Sequence, residues 1–424
     1  MFFDGIIFWQ FCAAIDLWIS CICAVGIWSS RCYYSALLVY CSGYQASYKK
    51  KSGGRTDGCA TFYKQSKFNC CNSVPVELCA DDCSVLNRPN VALLLLLEPL
   101  VSGQTNCSST CICVANTHLL YNPCRGDVKL AQLMFLFAAI DELAGMSAEP
   151  RPKYHPMILC GDFNLEPFSY LYEFVVNGSL RFEGLPMKAL SGQTRDESGR
   201  RMNPRCFLSP QVDVTDSCQF FDVTEHRQRL SRCSHRWRSF DESFCSGTAC
   251  HSLNLASAYD NMSPDALTSW LGHRSRGAQV DYIFYSVESP LPHSGRGRFR
   301  KCRSMSEALL TLTCVLQLPT LEEVCRSGGL PNNRESSDHL MLMAWFVLSN
   351  CVWLLEAVAL YMSGLPASIV VLCVKFTTDD WMKIKCVLLC YCKIQLLPVQ
   401  GLQAILNNAI MLYWMRQYIL CHCL

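Results

Sequence analysis

The chain has 424 residues, 50% of them apolar, with 37 Lys and Arg against 35 Asp and Glu. That length allows one large domain of about 250–300 residues with extensions, or two domains. A formal net charge of +2 excludes overall steering toward a polyanion, so nucleic acid would have to be held by a local patch such as Arg296, Arg298, Arg300, Lys301 and Arg303.

The first 41 residues are almost wholly apolar, interrupted by Asp4, Asp16 and Arg31. They lack the basic flank of a secretory signal. Asp16 near the middle of Gly5–Trp28 weighs against a membrane span, because a mid-bilayer carboxylate costs about 2.5–3.5 kcal/mol. Without the alternation of a half-buried strand, this segment is expected to pack apart from any sheet, or as helix. Asp57–Tyr63 leaves a Gly-rich turn for a β-prone run. Val91–Leu97 is a continuous apolar run of strand length, and Cys111–Thr117 is another that ends at His118.

Gly126–Ala144 carries apolar residues at helical spacing, with Asp127 at its start and Gly145 as a stop. Tyr154–Cys160 then gives the strand that delivers Gly161-Asp162-Phe163-Asn164. Strand, helix and strand in that order argue for an α/β fold. The polar stretch from about 191 to 278 shows no sustained period and reads as a surface insertion. Strand chemistry resumes at Val280–Tyr285, and Leu340–Val347 closes the domain after Asp338 and His339.

Three unlike parts result: an apolar segment over 1–42, a globular domain over 43–348, and an apolar, Cys-rich tail over 349–424. In the tail region only Glu356 is charged between Leu340 and Val374, and only Lys393 between Cys386 and Tyr413, which makes a membrane segment one reading of it. No two of the 30 cysteines are separated by two residues, so the CxxC knuckle is absent and most are expected to be buried reduced thiols. Cys390-Tyr391-Cys392 and Cys421-His422-Cys423 are the alternative, as ligands for a soft metal.

Four polar clusters sit at strand ends: Asn116-Thr117-His118, Asp162 with Asn164, Asp281-Tyr282, and Ser336-Ser337-Asp338-His339. Strand ends are where open sheets place their ligand crevices, so the four are expected to form one site. Asp162 and Asn164 alternate with Phe163, which puts both polar groups on one side of the strand and the ring on the other. A carboxylate there can take a proton from water while a carboxamide holds that water; the same pair can also cap its own turn.

These residues stand in a recognisable order. Tyr48-Lys49-Lys50, Thr56-Asp57-Gly58-Cys59-Ala60, Val114 to Pro123, Arg125-Gly126-Asp127, Gly161 to Asn164, Phe182 to Leu185, Ser191-Gly192-Gln193, Val280 to Tyr285, and Gly329-Leu330-Pro331 with Ser336 to His339 resemble the endonuclease/exonuclease/phosphatase superfamily. The similarity is greatest to its Angel branch, relatives of the carbon-catabolite-repression deadenylases, and covers roughly 43–347.

The resemblance implies a four-layer α/β sandwich, two mixed β-sheets flanked by helices, and Mg²⁺-dependent cleavage of phosphoester bonds at RNA ends, including 2′,3′-cyclic phosphates. By position it implies Asp162 as water-activating base, Asn164 as holder of the phosphate or water, and His339 on the phosphate with Asp338 orienting it. Asp281 and His118 complete the polar floor, with Asp338 and Asp281 as metal ligands. It also implies RNA as substrate, a protein partner in mRNA metabolism, and a cytoplasmic or nuclear location, with membrane tethering as the alternative.

One departure is chemical. The family supplies a metal-binding Glu ahead of the Asp-Gly-Cys-Ala motif, whereas no Asp or Glu lies between Asp16 and Asp57 here. The sandwich is therefore expected to be incomplete at its amino-terminal side and its catalysis impaired. A non-catalytic RNA- or partner-binding protein with a phosphate-binding cleft is the alternative function.

Overall fold

The structure, a computed structural model, describes residues 8–15, 20–28, 43–80, 83–100, 111–146, 153–194, 196–204, 207–208, 212–221, 246–260, 267–271, 276–287, 310–332 and 337–348. The tail, the basic patch at 296–303 and the Cys-rich clusters beyond 385 lie outside them.

The chain begins with β1 (Phe8–Ile15), β2 (Ser20–Trp28), β3 (Tyr44–Lys50), β4 (Asp57–Lys64), β5 (Phe68–Glu77), β6 (Val91–Pro99) and β7 (Ile112–His118). Helix α1 (Gly126–Ala144) follows, then the short pair β8 (Gly145–Met146) and β9 (Lys153–Tyr154), strand β10 (Met157–Asp162) and helix α2 (Tyr170–Asn177). Four three-residue strands come next: β11 (Ser179–Arg181), β12 (Thr248–Cys250), β13 (Leu255–Ser257) and β14 (Ser269–Leu271). The last elements are β15 (Arg276–Ala278), β16 (Asp281–Ser286), β17 (Leu310–Val315), helix α3 (Leu321–Arg326) and β18 (Leu342–Leu348).

Two six-stranded sheets carry the fold, in the orders β17-β18-β1-β2-β4-β3 and β13-β16-β10-β7-β6-β5. Both are mixed: β1 pairs with β18, and β10 with β7, in parallel, while their other pairings are antiparallel. The α/β class read from the sequence is therefore the class observed, with α1 and α2 packed on the second sheet.

Strand periodicity explains the two cores. Val91, Leu93, Leu95 and Leu97 of β6 point between the sheets, joined there by Ile158 and Cys160 of β10 and by Leu342, Ala344 and Phe346 of β18. Ala92, Leu94, Met157 and Leu159, the alternate residues, face α1 and α2. A sheet covered on both faces needs apolar residues at every position, which is why β6 reads as a continuous apolar run. Asn116 breaks that rule on the inner face of β7, and its Nδ2 donates to the Ala60 carbonyl of β4 at 2.9 Å. One buried amide thus ties the two sheets together.

The amino-terminal segment departs from expectation. Instead of packing apart from the sheets, it supplies β1 and β2, inserted between β18 and β4. Lack of alternation is no argument against an inner strand, since Phe8–Ile15, apart from Gln10, and Cys21–Trp28 have the near-continuous apolar character of a strand with neighbours on both sides. The 191–278 stretch is likewise more than a surface insertion: Met202, Phe207, Val214 and Cys218 are buried in the helix-side core, and β13 is the edge strand of the second sheet. Strands of three residues have too few positions to show a period. All thirteen cysteines with described side chains are free thiols, but only Cys59, Cys83, Cys113, Cys160 and Cys218 are buried, so the expectation that most would be buried does not hold among the described residues. Burial pushes the Cys113 thiol up to about 12. Among the described residues no helix is long and apolar enough to cross a membrane.

Gly161 is indispensable to this framework. Its φ is +145°, and a Cβ there would lie 1.9 Å from the Thr117 carbonyl oxygen of β7. Gly161→Ala should cost more than about 3 kcal/mol in denaturant unfolding, through backbone strain added to overlap. Gly184→Ala, at φ +74° with open space around it, should cost only about 1–2 kcal/mol. Equal costs would refute the close-approach argument.

Candidate active site

The alternation that builds the inter-sheet core also builds the site. In β10 the inward row runs Ile158, Cys160, Asp162; in β16 it runs Tyr285, Ile283, Asp281; in β7 it runs Val114, Asn116, His118. Apolar residues fill the β10 and β16 rows until the end, where a carboxyl group replaces them; in β7 the polar Asn116 precedes His118. Register then aligns the ends, because Asp162 is the Cα partner of His118 on one side and of Asp281 on the other. Phe163 turns the opposite way, into the helix-side core.

Asp162 is buried and well held. Its Oδ1 accepts from the Asn164 backbone N–H at 2.9 Å, and its Oδ2 accepts from Asn164 Nδ2 at 2.9 Å. His118 Nε2 stands 3.4 Å from the same Oδ2. Asn164 adopts a left-handed φ of 51°, and its Nδ2 also donates to the Leu119 carbonyl at 3.2 Å. The turn that caps its own backbone and the catalytic pair are therefore one arrangement. The backbone N–H and the side-chain amide of Asn164 both hold the Asp162 carboxylate.

On the other side His339 Nδ1 lies 2.8 Å from Asp281 Oδ2, and its Nε2 lies 3.0 Å from Ser269 Oγ. The expectation that Asp338 orients His339 is corrected: Asp281 does so. Asp338 sits in a bend, where His339 N–H donates to the Ser337 hydroxyl at 3.0 Å, and its charge acts on both His339 and Asp281. Strand β14 holds this segment from outside, with Trp270 N–H donating to the Asp338 carbonyl at 2.8 Å and Leu340 N–H donating to the Thr268 carbonyl at 2.7 Å. The Thr268 hydroxyl accepts from the backbone N–H groups of Val280 and Asp281 at 3.0 and 3.1 Å.

Burial dominates the electrostatics. Desolvation, reinforced by Asp281, pushes the Asp162 carboxyl up to about 7 against the opposing pull of His339, Asn164 and Lys129. Asp281 is raised well above the carboxylate range by burial first, with the nearby Thr268 hydroxyl opposing. The same desolvation lowers His339 to about 4 and holds His118 well below the usual imidazole range, so both rings are neutral at pH 7.

Two buried carboxylate oxygens, Asp281 Oδ1 and Asp338 Oδ1, have no hydrogen-bond partner of ordinary geometry. Buried acceptors of this kind suit a cation or an ordered water. Among the described residues no three His, Cys, Asp or Glu side chains converge as a metal cage. The donor set fits a hydrated Mg²⁺ held through two carboxylates, since that ion keeps several waters and needs few protein ligands.

Sequence reasoning missed Lys129, Thr268, Ser269, Asn90 and Gln132. Asn90 Nδ2 donates to the His118 carbonyl at 2.9 Å and receives Gln132 Nε2 at 2.9 Å, which steadies the end of β7. Only Lys129 and Gln132 had a signal, as polar residues inside a helix whose apolar positions run nearly all round.

No family model matches the chain. Protein angel homolog 2 of Mus musculus is 35% identical over 320 residues, covering 72% of this chain and 56% of that protein. Protein angel homolog 1 of Rattus norvegicus is 35% identical over 362 residues, covering 72% and 52%. The chain thus spans about half the length of the curated relatives it matches. The crystal structure of ANGEL2, a 2′,3′-cyclic phosphatase, in complex with adenosine-2′,3′-vanadate aligns at a TM-score of 0.58 and 34% identity, covering 75% of this chain and 79% of that one.

The carboxyl shift has a thermal signature. A carboxyl at about 7 in the folded state against an ordinary 3.8 means that the folded state binds the extra proton, so stability falls as pH rises between those values. Asp162→Asn removes this titration. In metal-free buffer the melting temperature of Asp162→Asn minus that of the wild type should climb from pH 4 to pH 7 and then level off. A constant difference would show that Asp162 titrates normally.

Proposed function

This chain belongs to the Angel branch of the endonuclease/exonuclease/phosphatase superfamily, and from that membership we propose that its cleft hydrolyses phosphoester bonds at RNA ends, with terminal 2′,3′-cyclic phosphates as substrate. The observation that carries this reading is the meeting of Asp162, Asp281, His118 and His339 at the inner-face ends of three paired strands and one facing loop.

Asp162 acts as the base that takes a proton from the attacking water. A carboxyl pushed up to about 7 is matched to that task near neutral pH, and the two donors of Asn164 hold it in one orientation. His339, held through Nδ1 by Asp281, turns Nε2 to the place where it now meets the Ser269 hydroxyl, and would donate from there to a phosphate oxygen as the imidazolium that the incoming negative charge favours. His118, neutral beside Asp162, borders the water's approach without neutralising the base. Asp281 and Asp338 would hold a hydrated Mg²⁺ through their unpartnered oxygens, and the bound ion would offset phosphate charge.

A second reading has its own observation. No Asp or Glu occurs between Asp16 and Asp57, so the family's metal-binding Glu has no counterpart in that stretch. Two carboxylates in place of three would position the phosphate loosely, and about 1 Å of misplacement costs on the order of 10²-fold in rate. Turnover is therefore slow, and binding of RNA ends without hydrolysis is the limiting case.

The full chain should convert an oligonucleotide 2′,3′-cyclic phosphate to a monophosphate slowly in Mg²⁺, and EDTA should stop it. Asp162→Ala should lower kcat by about 10²–10⁴-fold, the range for a general base, while leaving oligonucleotide binding within about threefold. Tight binding with no wild-type turnover would select the non-catalytic reading. Turnover unaffected by Asp162→Ala would overturn the assignment of the base.

A further inference from the structure

Lys129 of α1 is a fully buried lysine, with none of its surface exposed. Lysine is almost never fully buried unless it is paired with an opposite charge. Here its hydrogen bonds go to two neutral acceptors instead, the Asn164 carbonyl at 2.6 Å and Gln193 Oε1 at 2.5 Å. Burying a lysine amine without a carboxylate in contact is costly, and burial lowers this one to about 7 against the pull of Asp162, so an apolar side chain of similar length would serve the core better.

The geometry gives the lysine a task. Asn164 is a non-glycine residue in the left-handed region, and the turn it makes delivers both donors to Asp162. The Gln193 side that completes the grip is itself tied down. The Ser191 hydroxyl reaches the Pro123 carbonyl at 3.3 Å, and the Ser191 carbonyl accepts from Glu166 N–H at 2.8 Å. Three segments far apart in sequence, the start of α1, the loop after β10 and the Ser191–Gln193 turn, therefore meet at one amine.

We propose that Lys129 is a positioning residue of the cleft, clamping the Asn164 carbonyl to the Gln193 side chain so that the left-handed turn keeps its donors on Asp162. The clamp is a matter of structure; its consequence for turnover rests on the phosphoesterase reading above.

The test uses the full chain with Lys129→Met and Gln193→Leu, and Met134→Ala as a control that removes buried volume from the same helix more than one turn beyond Lys129. Two readouts are taken: amide hydrogen exchange over residues 160–168, and kcat with KM on an oligonucleotide 2′,3′-cyclic phosphate. Lys129→Met should speed exchange over 160–168 at least about tenfold and lower kcat about 10–100-fold with KM within about twofold. Gln193→Leu should do the same more weakly, and it decides the matter if Lys129→Met fails to fold. Met134→Ala should lower the melting temperature while leaving exchange over 160–168 and kcat near wild type. Unchanged exchange in Lys129→Met or, failing that, in Gln193→Leu overturns the clamp. Faster exchange with kcat unchanged overturns its role in the reaction. A wild type without turnover but with exchange still faster in the variants counts against the phosphoesterase reading and leaves the clamp standing.

Discussion

Strand β10 lies between a parallel neighbour, β7, and an antiparallel one, β16, and the site depends on how closely the first approaches. At Gly161 the Thr117 carbonyl occupies the space where a side chain would begin. That approach sets Asp162 beside His118, and the antiparallel register on the other edge sets it opposite Asp281. A slip of one residue would send every inward group of β10 to the helix side. Asn116, hydrogen-bonded across to β4, holds the first sheet against this framework.

The same burial that makes the framework rigid makes the cleft electrostatically demanding. Asp162 and Asp281 share a space from which water is largely removed, and both carboxyls bind protons more tightly than they would in water. His339 and His118 respond oppositely, losing their protons to the same desolvation. The result is a pocket of nearly neutral groups that concentrates acceptor oxygens, two of them without hydrogen-bond partners. A cation entering such a pocket displaces protons from the carboxyls, so binding and protonation are linked.

Much of the site was legible because its residues sit at places where a local pattern changes. Asp162 and Asp281 each end a run of inward apolar residues, and a period-two pattern that stops at a polar group can be read without any partner; His118 closes the apolar run of β7 as seen in the sequence. The sheet that contains them was legible for the same reason. What could not be read were relations that cross between elements. Asp281 as the partner of His339 joins residues 58 positions apart, and local order favoured the adjacent Asp338. Lys129 reaches Asn164 across 35 positions, from a helix with hardly any polar face. The strands of the amino-terminal segment were hidden because apolar residues at every position look alike in a buried strand and in a helix.

The sequence by itself determined the α/β class, the order of polar clusters along the strands and the acid, amide and imidazole groups they carry; phosphoester chemistry entered only as what their resemblance to a known family implies. The first three follow from short-range periodicity and from side-chain type, which need no knowledge of neighbours. Only the tertiary structure decided which groups touch: the two sheets brought the loop of His339 over the β16 end, and the amine of Lys129 was drawn into the turn at Asn164. It alone decided the charge states as well, because burial, the largest cause of every shift in the cleft, is a property of the packed chain and belongs to no residue in isolation.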